Sequence, residues 1–282
     1  MKLHVITTEK FKLDGGATFG VVPKSLWSRA VTSDENNMVD FCNRLLLIET
    51  DDGHKILIDT GIGNKQDEKY RSHFFITGNT LEQSLAEKGF STNDITDVIL
   101  THLHFDHVGG SVIFGDNGKK LLPLFKNAIY YCSKEQWDWA VNPNPREKAS
   151  YLNENFIPLF DSGHLEFIHE EQELFENIYL NIYNGHTQGQ IIPTVNYNGR
   201  KIVFMADLII SVAHIPVPYV PSYDVQPLIS LQEKTSFLKK AADENSVLFF
   251  EHDSENECCT VQSTEKGIKL KDIFELKDLF KH

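Results

Sequence analysis

One short segment constrains the fold of this chain more than any other: residues 101–107, Thr-His-Leu-His-Phe-Asp-His. An apolar run at 97–100 precedes it and indicates the end of a buried strand, and Gly109-Gly110 permits a tight turn after it. Imidazoles and a carboxylate crowded at a strand end lose solvation and repel each other unless a cation lies among them. The segment therefore predicts a metal site, and this mixture of ligands suits zinc, iron or manganese. The predicted ligands are His102, His104, Asp106 and His107.

The composition is that of a globular chain without a membrane segment. The chain has 282 residues, of which 41% are hydrophobic and 24% charged, and this fits one layered domain over 1–282. No apolar stretch approaches the roughly 18 residues of a transmembrane helix, and residues 1–7 indicate a first strand instead of a signal peptide. No Cys-x-x-Cys occurs among the four cysteines, so we expect free thiols and a cytoplasmic location.

The acidic balance narrows the choice of partner. The net charge is −13, whereas phosphate backbones and anionic membranes are bound by basic surfaces. We therefore expect a small-molecule substrate, with no nucleic-acid partner and no membrane partner. A homodimer is left open.

Strand-like and helical segments predict two sheets with helices on their outer faces. In the first half, residues 45–50 and 55–60 flank a hairpin turn, and a short helix that stops at Gly89 is predicted over 80–88. In the second half, Asn198-Gly199 predicts another hairpin turn, and 228–242 a long amphipathic helix. Residues 141–158 are rich in Pro and Asn and predict an insertion or lid.

Three more polar side chains follow predicted strands. His186 lies in a turn after one strand, Asp207 ends the next hairpin, and His252 ends the last apolar strand. Strand ends are where a sheet protein tends to place its site. Taken singly, each has a structural interpretation: a loop histidine, a helix cap and a buried neutral histidine.

Taken in order along nearly the whole chain, these motifs resemble the metallo-β-lactamase superfamily, including the Asp-Thr-Gly turn at Asp59. The resemblance implies an α/β fold, the αββα sandwich of two packed mixed β-sheets with helices on the outer faces. It also implies two divalent metal ions, with zinc preferred and iron or manganese as alternatives. One metal would be ligated by His102, His104 and His186, and the other by Asp106, His107 and His252. Asp207 would bridge them, and Asp59 would orient a loop or a ligand histidine.

The resemblance further implies a metal-dependent hydrolase. A hydroxide shared by two cations is a nucleophile near neutral pH, and the second metal can stabilise the oxyanion. No nucleophilic side chain is then required. The residues predicted to take part in catalysis are Asp106, Asp207 and His214, with Asp207 or His214 handling the leaving proton.

Two segments, 13–24 and 206–214, look like the branch of N-acyl homoserine lactonases and methyl parathion hydrolase-like enzymes. This implies lactone or ester substrates, with phosphotriesters as a promiscuous class. Small lactonases carry a tyrosine three positions after the bridging aspartate, and this chain has Ile210 there. His214 is predicted to donate a hydrogen bond to the substrate instead, with Tyr219 and Tyr223 as weaker candidates. Phe19, Trp27 and Phe105 are predicted to form an apolar wall.

Other functions on this scaffold stay open. A thioester hydrolase of the glyoxalase II type would favour a basic pocket for an anionic carrier. An RNA-processing nuclease would need a basic surface. A non-hydrolytic metal or redox protein is the third alternative. The pattern typical of flavodiiron oxygen reductases does not match, because it has a glutamate where this chain has His104.

Overall fold

The structure is a computed structural model that describes residues 1–115 and 118–280. The chain divides into two compact units. The first comprises Met1–Phe11 and Asn43–Glu170, and the second comprises Lys12–Cys42 and Glu171–His282. The division does not test the expectation of one domain over 1–282, which stays a prediction.

The chain forms β-strands and α-helices, together with short 3₁₀ turns. The strands are β1 (Lys2–Asp14), β2 (Met38–Glu49), β3 (Lys55–Ile58), β4 (Thr77–Gly78), β5 (Asp97–Ile99), β6 (Val112–Phe114), β7 (Leu121–Pro123), β8 (Ile129–Ser133), β9 (Leu165–Ile168), β10 (Gln172–Phe175), β11 (Ile178–Tyr183), β12 (Gln190–Tyr197), β13 (Arg200–Phe204), β14 (Val247–Phe249), β15 (Cys258–Thr264) and β16 (Gly267–Phe274). The helices are α1 (Gly15–Phe19), α2 (Lys24–Trp27), α3 (Glu68–His73), α4 (Leu81–Glu87), α5 (Phe105–Val108), α6 (Lys134–Val141), α7 (Asn153–Asp161) and α8 (Pro227–Glu244), with 3₁₀ turns at Gly109–Ser111, Lys148–Ser150, Val212–His214 and Leu276–Phe280.

The first unit is built on a mixed sheet with the strand order β4-β1-β2-β3-β5-β8-β9. Strands β3, β5, β8 and β9 run parallel to one another, and Ile58 pairs with Ile99. Asp59 and the segment from Thr101 therefore leave the sheet at the same edge. A buried apolar cluster including Leu57, Val98 and Tyr130 fixes this end of the sheet.

The second unit is built on a mixed sheet with the order β10-β11-β12-β13-β14-β15-β16. Only β13 and β14 run parallel among its described strands, and Phe204 pairs with Phe249. The segments carrying Asp207 and His252 thus leave neighbouring strands in the same direction. The β11–β12 hairpin is antiparallel, and His186 lies in its turn.

Several local predictions are confirmed because strong turn and cap signals decide them. Thr80 and Gln83 form a reciprocal capping box at the start of α4. Asn198 and Gly199 both have positive φ, as a two-residue hairpin requires. The long helix predicted at 228–242 is α8. No helix in the described ranges combines the length and apolarity needed to cross a membrane.

The prediction of an insertion or lid at 141–158 is wrong. This segment forms a 3₁₀ turn and the first part of α7, and Phe156 and Glu147 are buried. Pro158 lies inside α7, where it forgoes one backbone hydrogen bond without ending so short a helix. The Pro and Asn content therefore indicated an insertion or lid where the apolar side chains dictate packing.

Candidate metal centre

The first unit brings together the four ligands predicted from the opening segment. Nε2 of His102 lies 2.9 Å from Nδ1 of His104, and the rings of His102 and His107 are 3.9 Å apart. Asp106 follows in α5 and is 9% exposed, while both outer histidines of the segment are fully buried. Ring nitrogens that face each other at this distance either share a hydrogen bond or turn their lone pairs toward a common metal ion.

Asp59 orients His107, as predicted. Oδ2 of Asp59 lies 3.0 Å from Nδ1 of His107, and the same carboxylate accepts hydrogen bonds from the backbone and hydroxyl of Thr101 at 2.8 and 2.6 Å. The hydroxyl of Thr60 also donates to the carbonyl of His107. A carboxylate that accepts from Nδ1–H leaves the lone pair of Nε2 free to bind a metal.

Glu147 plays the same part for His104, and the sequence analysis missed it. Oε1 of Glu147 lies 2.9 Å from Nε2 of His104 and accepts from the hydroxyl of Tyr151 at 2.8 Å. Its other oxygen accepts from the indole of Trp139 at 2.6 Å and the amide of Asn144 at 3.0 Å. Glu147 is 3% exposed. Nδ1 of His104 is thereby turned toward His102.

The second unit brings together the three remaining predicted ligands. Oδ2 of Asp207 lies 3.0 Å from Nε2 of His186, and Oδ1 lies 3.1 Å from Nε2 of His252. All three side chains are buried. One carboxylate therefore presents an oxygen to each of two imidazoles, which is the arrangement expected of a ligand that serves two metal ions.

Both imidazoles of the second unit are fixed through Nδ1. His186 contacts Oδ1 of Asp224 at 3.0 Å, and His252 contacts the carbonyl oxygen of Cys42 at 3.0 Å. Burial alone would lower the pKa of His186, but the carboxylates of Asp207 and Asp224 outweigh it and raise this pKa to about 10. The pocket thus stabilises positive charge strongly, and a divalent cation can supply that charge in place of protons.

The residues fit a metal centre by the chemistry of their donors. Every predicted ligand histidine places one ring nitrogen against a protein group and turns the other toward the cluster, as metal-ligating histidines do. Each of the seven residues belongs to a group of histidine and acidic side chains whose composition and spacing could hold a metal ion. Neutral imidazole and carboxylate suit zinc, iron and manganese.

A cavity of about 390 Å³ lies beside His252 in the second unit. Most of its wall is apolar: Phe19, Val31, Val39, Phe41, Val212, Ala213, Ile215, Ile268 and Leu270. Phe19 stacks on Trp27 with the ring centroids 4.8 Å apart, so two of the three predicted wall residues form one layer. The third, Phe105, belongs to the first unit and packs on Phe74 there.

His214 lies in the wall of this cavity with both ring nitrogens occupied. Nδ1 is 2.8 Å from the hydroxyl of Ser211, Nε2 is 3.0 Å from the carbonyl of Thr18, and the ring stacks on Phe19. Burial lowers the pKa of His214 to about 3, so the ring is neutral. The predicted hydrogen bond to a substrate would require one of these contacts to break, and the catalytic role stays a prediction.

Residues 40–252 match the metallo-β-lactamase superfamily. The chain belongs to this superfamily. The predicted α/β fold class, the αββα sandwich of the superfamily, is confirmed: two mixed sheets with helices. Membership supports a metal-dependent hydrolase.

Individual relatives agree with this membership. An N-acyl homoserine lactonase of Bacillus thuringiensis is 25% identical over 227 residues, which cover 75% of this chain and 81% of that protein. A probable metallo-hydrolase of Mycobacterium tuberculosis is 35% identical over 79 residues. The match covers 25% of each chain, so this chain spans about a quarter of that relative.

Solved structures extend the similarity to the whole chain. A probable metal-dependent hydrolase from Staphylococcus aureus has 29% identity and a TM-score of 0.87, covering 97% of this chain and 96% of that one. AidC, a dizinc quorum-quenching lactonase, has 24% identity and a TM-score of 0.78, covering 95% and 93%. The second likeness concerns the fold alone.

Proposed function

We propose that this protein is a two-metal hydrolase of neutral lactones or esters, with phosphotriesters as secondary substrates. The observation that carries the proposal is the Asp207 carboxylate, which gives one oxygen to His186 and the other to His252. In our assignment one metal would be held by His102, His104 and His186, the other by Asp106, His107 and His252, and Asp207 would serve both. Zinc is our first choice, with iron or manganese as alternatives.

The metals, when bound, supply a water-derived nucleophile near neutral pH and polarise the substrate's carbonyl or phosphoryl oxygen. The protein's own contribution is to hold the ligands in place before substrate arrives. Asp59, Glu147 and Asp224 fix three of the histidines through the nitrogen that does not face the cluster. Asp207 is a buried carboxylate between two imidazoles and is our candidate for handling the leaving proton, with His214 as the alternative.

The cavity beside His252 supports an uncharged, apolar substituent on the substrate. Its wall is mostly aliphatic and aromatic, and burying such a group stabilises binding by about 25 cal/mol per Å². The charged groups on the wall are mainly acidic, with Asp40, Asp253 and Glu255 against the single cation Lys269. An anionic thiol carrier of the glyoxalase II type would be repelled there, which favours a lactone or ester.

The proposed partner and location rest on the net charge and the cysteines of the chain. We propose a small-molecule substrate without nucleic-acid or membrane partners, in keeping with the net charge of −13. All four cysteines are buried thiols outside disulfide bonds, which suits the reducing cytoplasm.

The test combines metal content with a substrate panel. Purified protein is analysed for bound metal and assayed with an N-acyl homoserine lactone, an aryl ester, a phosphotriester and a glutathione thioester. We expect about two metal ions per chain, hydrolysis of the lactone or aryl ester, and loss of both properties in Asp207→Ala. Asp243→Ala, on the exposed face of α8, is the matched control. A wild-type chain without stoichiometric metal, or Asp207→Ala with unchanged rates, would overturn the proposal.

A further inference from the structure

We propose that Glu233 and Lys234, consecutive residues of α8, are positioning residues that fix a metal ligand and the cavity wall to one helix. The inference rests on the proposed function and deepens it. Two segments are involved: the ligand turn, residues 184–189, which carries His186, and the pocket loop, residues 215–226, which carries Tyr219 and Asp224. Glu233 holds the ligand turn, and Lys234 holds the pocket loop.

Glu233 holds the ligand turn by its backbone. Its two carboxylate oxygens accept from the N–H groups of Asn184 at 2.7 Å and Gly185 at 2.9 Å. A Cβ on Gly185 would lie 2.5 Å from the backbone of Ser230, so the turn packs directly on the helix. Because His186 is the next residue, the position of its backbone follows from these contacts.

Lys234 holds the pocket loop by two carbonyl groups. Its Nζ donates to Pro216 O at 3.0 Å and Tyr219 O at 2.7 Å, and the side chain is 3% exposed. Burial lowers the pKa of this amine to about 7, while the charge of Asp224 opposes the shift. This amine is costly to lose, because the carbonyl of Tyr219 would lose this donor, and the carbonyl of Pro216 would keep only the N–H of Tyr219.

The pocket loop connects the cavity to the metal ligand. Near Lys234, Tyr219 lines the cavity and meets the ring of Phe19 edge-on at 6.2 Å. Further along, Asp224 contacts Nδ1 of His186, and the N–H of Val225 donates to the carbonyl of His186 at 3.0 Å. His186 is thus placed from two sides, through Glu233 by its backbone and through the Lys234-anchored loop by its imidazole.

The two residues predict different defects. Without Glu233 the ligand turn loses its anchor while the cavity keeps its wall. We therefore expect metal retention to fall, and KM of the protein that still holds its metal to change little. Without Lys234 the loop moves near Tyr219 as well as Asp224, so KM for substrates with large apolar groups rises and metal retention falls less. A merely structural role would lower stability in both variants without this separation.

The experiment compares Glu233→Ala and Lys234→Met with Lys239→Met, an exposed position of the same helix. Each protein is loaded with Co²⁺, and its visible spectrum and rate of metal loss to a chelator are recorded, followed by kcat and KM on a long-chain ester. We expect metal loss at least tenfold faster in Glu233→Ala, with an altered spectrum, and KM at least fivefold higher in Lys234→Met. Glu233→Gln, which keeps one acceptor oxygen, and Lys234→Arg should partly restore each property, and they replace the first variants if those fail to fold.

Metal-loss rates and KM values within twofold of Lys239→Met in both variants would overturn the inference while leaving the hydrolase proposal intact. The inference would also be overturned if the two variants lost only stability and both kept an unaltered Co²⁺ spectrum. Failure of the proposed function has a different signature, because Asp207→Ala would then keep its metal and its activity. A wild-type chain that binds no Co²⁺ would overturn both.

Discussion

Nε2 of His104 lies 2.9 Å from Oε1 of Glu147, a residue 43 positions further along the chain. Glu147 is the acceptor for three further donors, so its carboxylate is fixed before it meets the imidazole. The ring orientation of His104 is therefore set by α6 and the segment that follows it, in addition to its own loop.

Replacing Glu147 should weaken the metal centre and the fold together. In Glu147→Ala the donors of Trp139 and Asn144 lose this acceptor and Tyr151 keeps only Gln136, and we expect about 2–4 kcal/mol lower stability. Loss of the partner of a ligand histidine should lower metal affinity by about 10–100-fold. Denaturant unfolding and metal titration measure the two effects, with the exposed Glu154→Ala of α7 as control. Equal metal affinity in both variants would contradict the assigned role.

Asp59→Asn tests whether the tautomer of His107 controls one of the two metals. Asn tolerates the positive φ of 58° at this position, so the backbone should be retained. The amide no longer provides a full carboxylate for Nδ1–H of His107 and the two Thr101 donors. We expect metal content to fall from about two ions toward one. Elemental analysis against Asp161→Asn, an exposed site, measures this, and an unchanged content of two would refute it.

His214 should make the fold sensitive to acid. Its pKa of about 3 in the folded chain lies below the ordinary value of 6.5, so the unfolded chain binds the extra proton between these limits. Stability is then lost as pH falls from about 6.5 toward 3, with a slope of up to about 1.4 kcal/mol per pH unit from this residue. His214→Phe should reduce that slope, whereas the exposed His169→Phe should not. Denaturant unfolding at pH 4.5–7.5 is the measurement, and identical slopes in both variants would count against the assignment.

Filling the cavity should change substrate selection without touching the metal ligands. Ala213 lines the cavity, so Ala213→Phe places a ring in the space that an apolar substituent would occupy. We expect KM for a long-chain ester to rise at least tenfold, and KM for an acetyl ester to stay within about twofold. The control is Ala242→Phe on α8, away from the cavity wall. If both esters were affected equally, the cavity would not be the substituent site.

The ligands were accessible from sequence because their signal is local. His102 to His107 lie in one segment after a strand, and His186, Asp207 and His252 each follow a strand end. Asp59 was the one orienting group expected from the sequence, through the resemblance. Glu147, Asp224 and the carbonyl of Cys42 were not accessible, because tertiary folding brings them from 43, 38 and 210 residues away. One of them is a backbone carbonyl, that of Cys42, which carries no residue-type signal at all.

Side-chain roles proved harder to predict than positions. The sequence predicted a hydrogen bond from His214 to the substrate, but the contacts of its ring with Thr18 and Ser211 depend on α1 and a 3₁₀ turn, which no pattern specified. The apolar wall was predicted from three aromatic residues, and Phe105 belongs to a different packing layer from Phe19 and Trp27. The interpretation of 141–158 was wrong for the same reason, since composition does not reveal what a segment packs against.

The hydrogen bonds on the far nitrogens of the histidines have a consequence for metal exchange. Because Asp59, Glu147 and Asp224 fix tautomer and ring angle through protein contacts, an arriving ion meets donors that already point inward. Replacing one divalent ion with another then requires little rearrangement of the chain, and the intrinsic affinities of such nitrogen and oxygen donors differ mainly by the metal. We therefore expect local supply to govern which cation is carried, and growth media with different trace metals should yield protein of different metal content but the same fold.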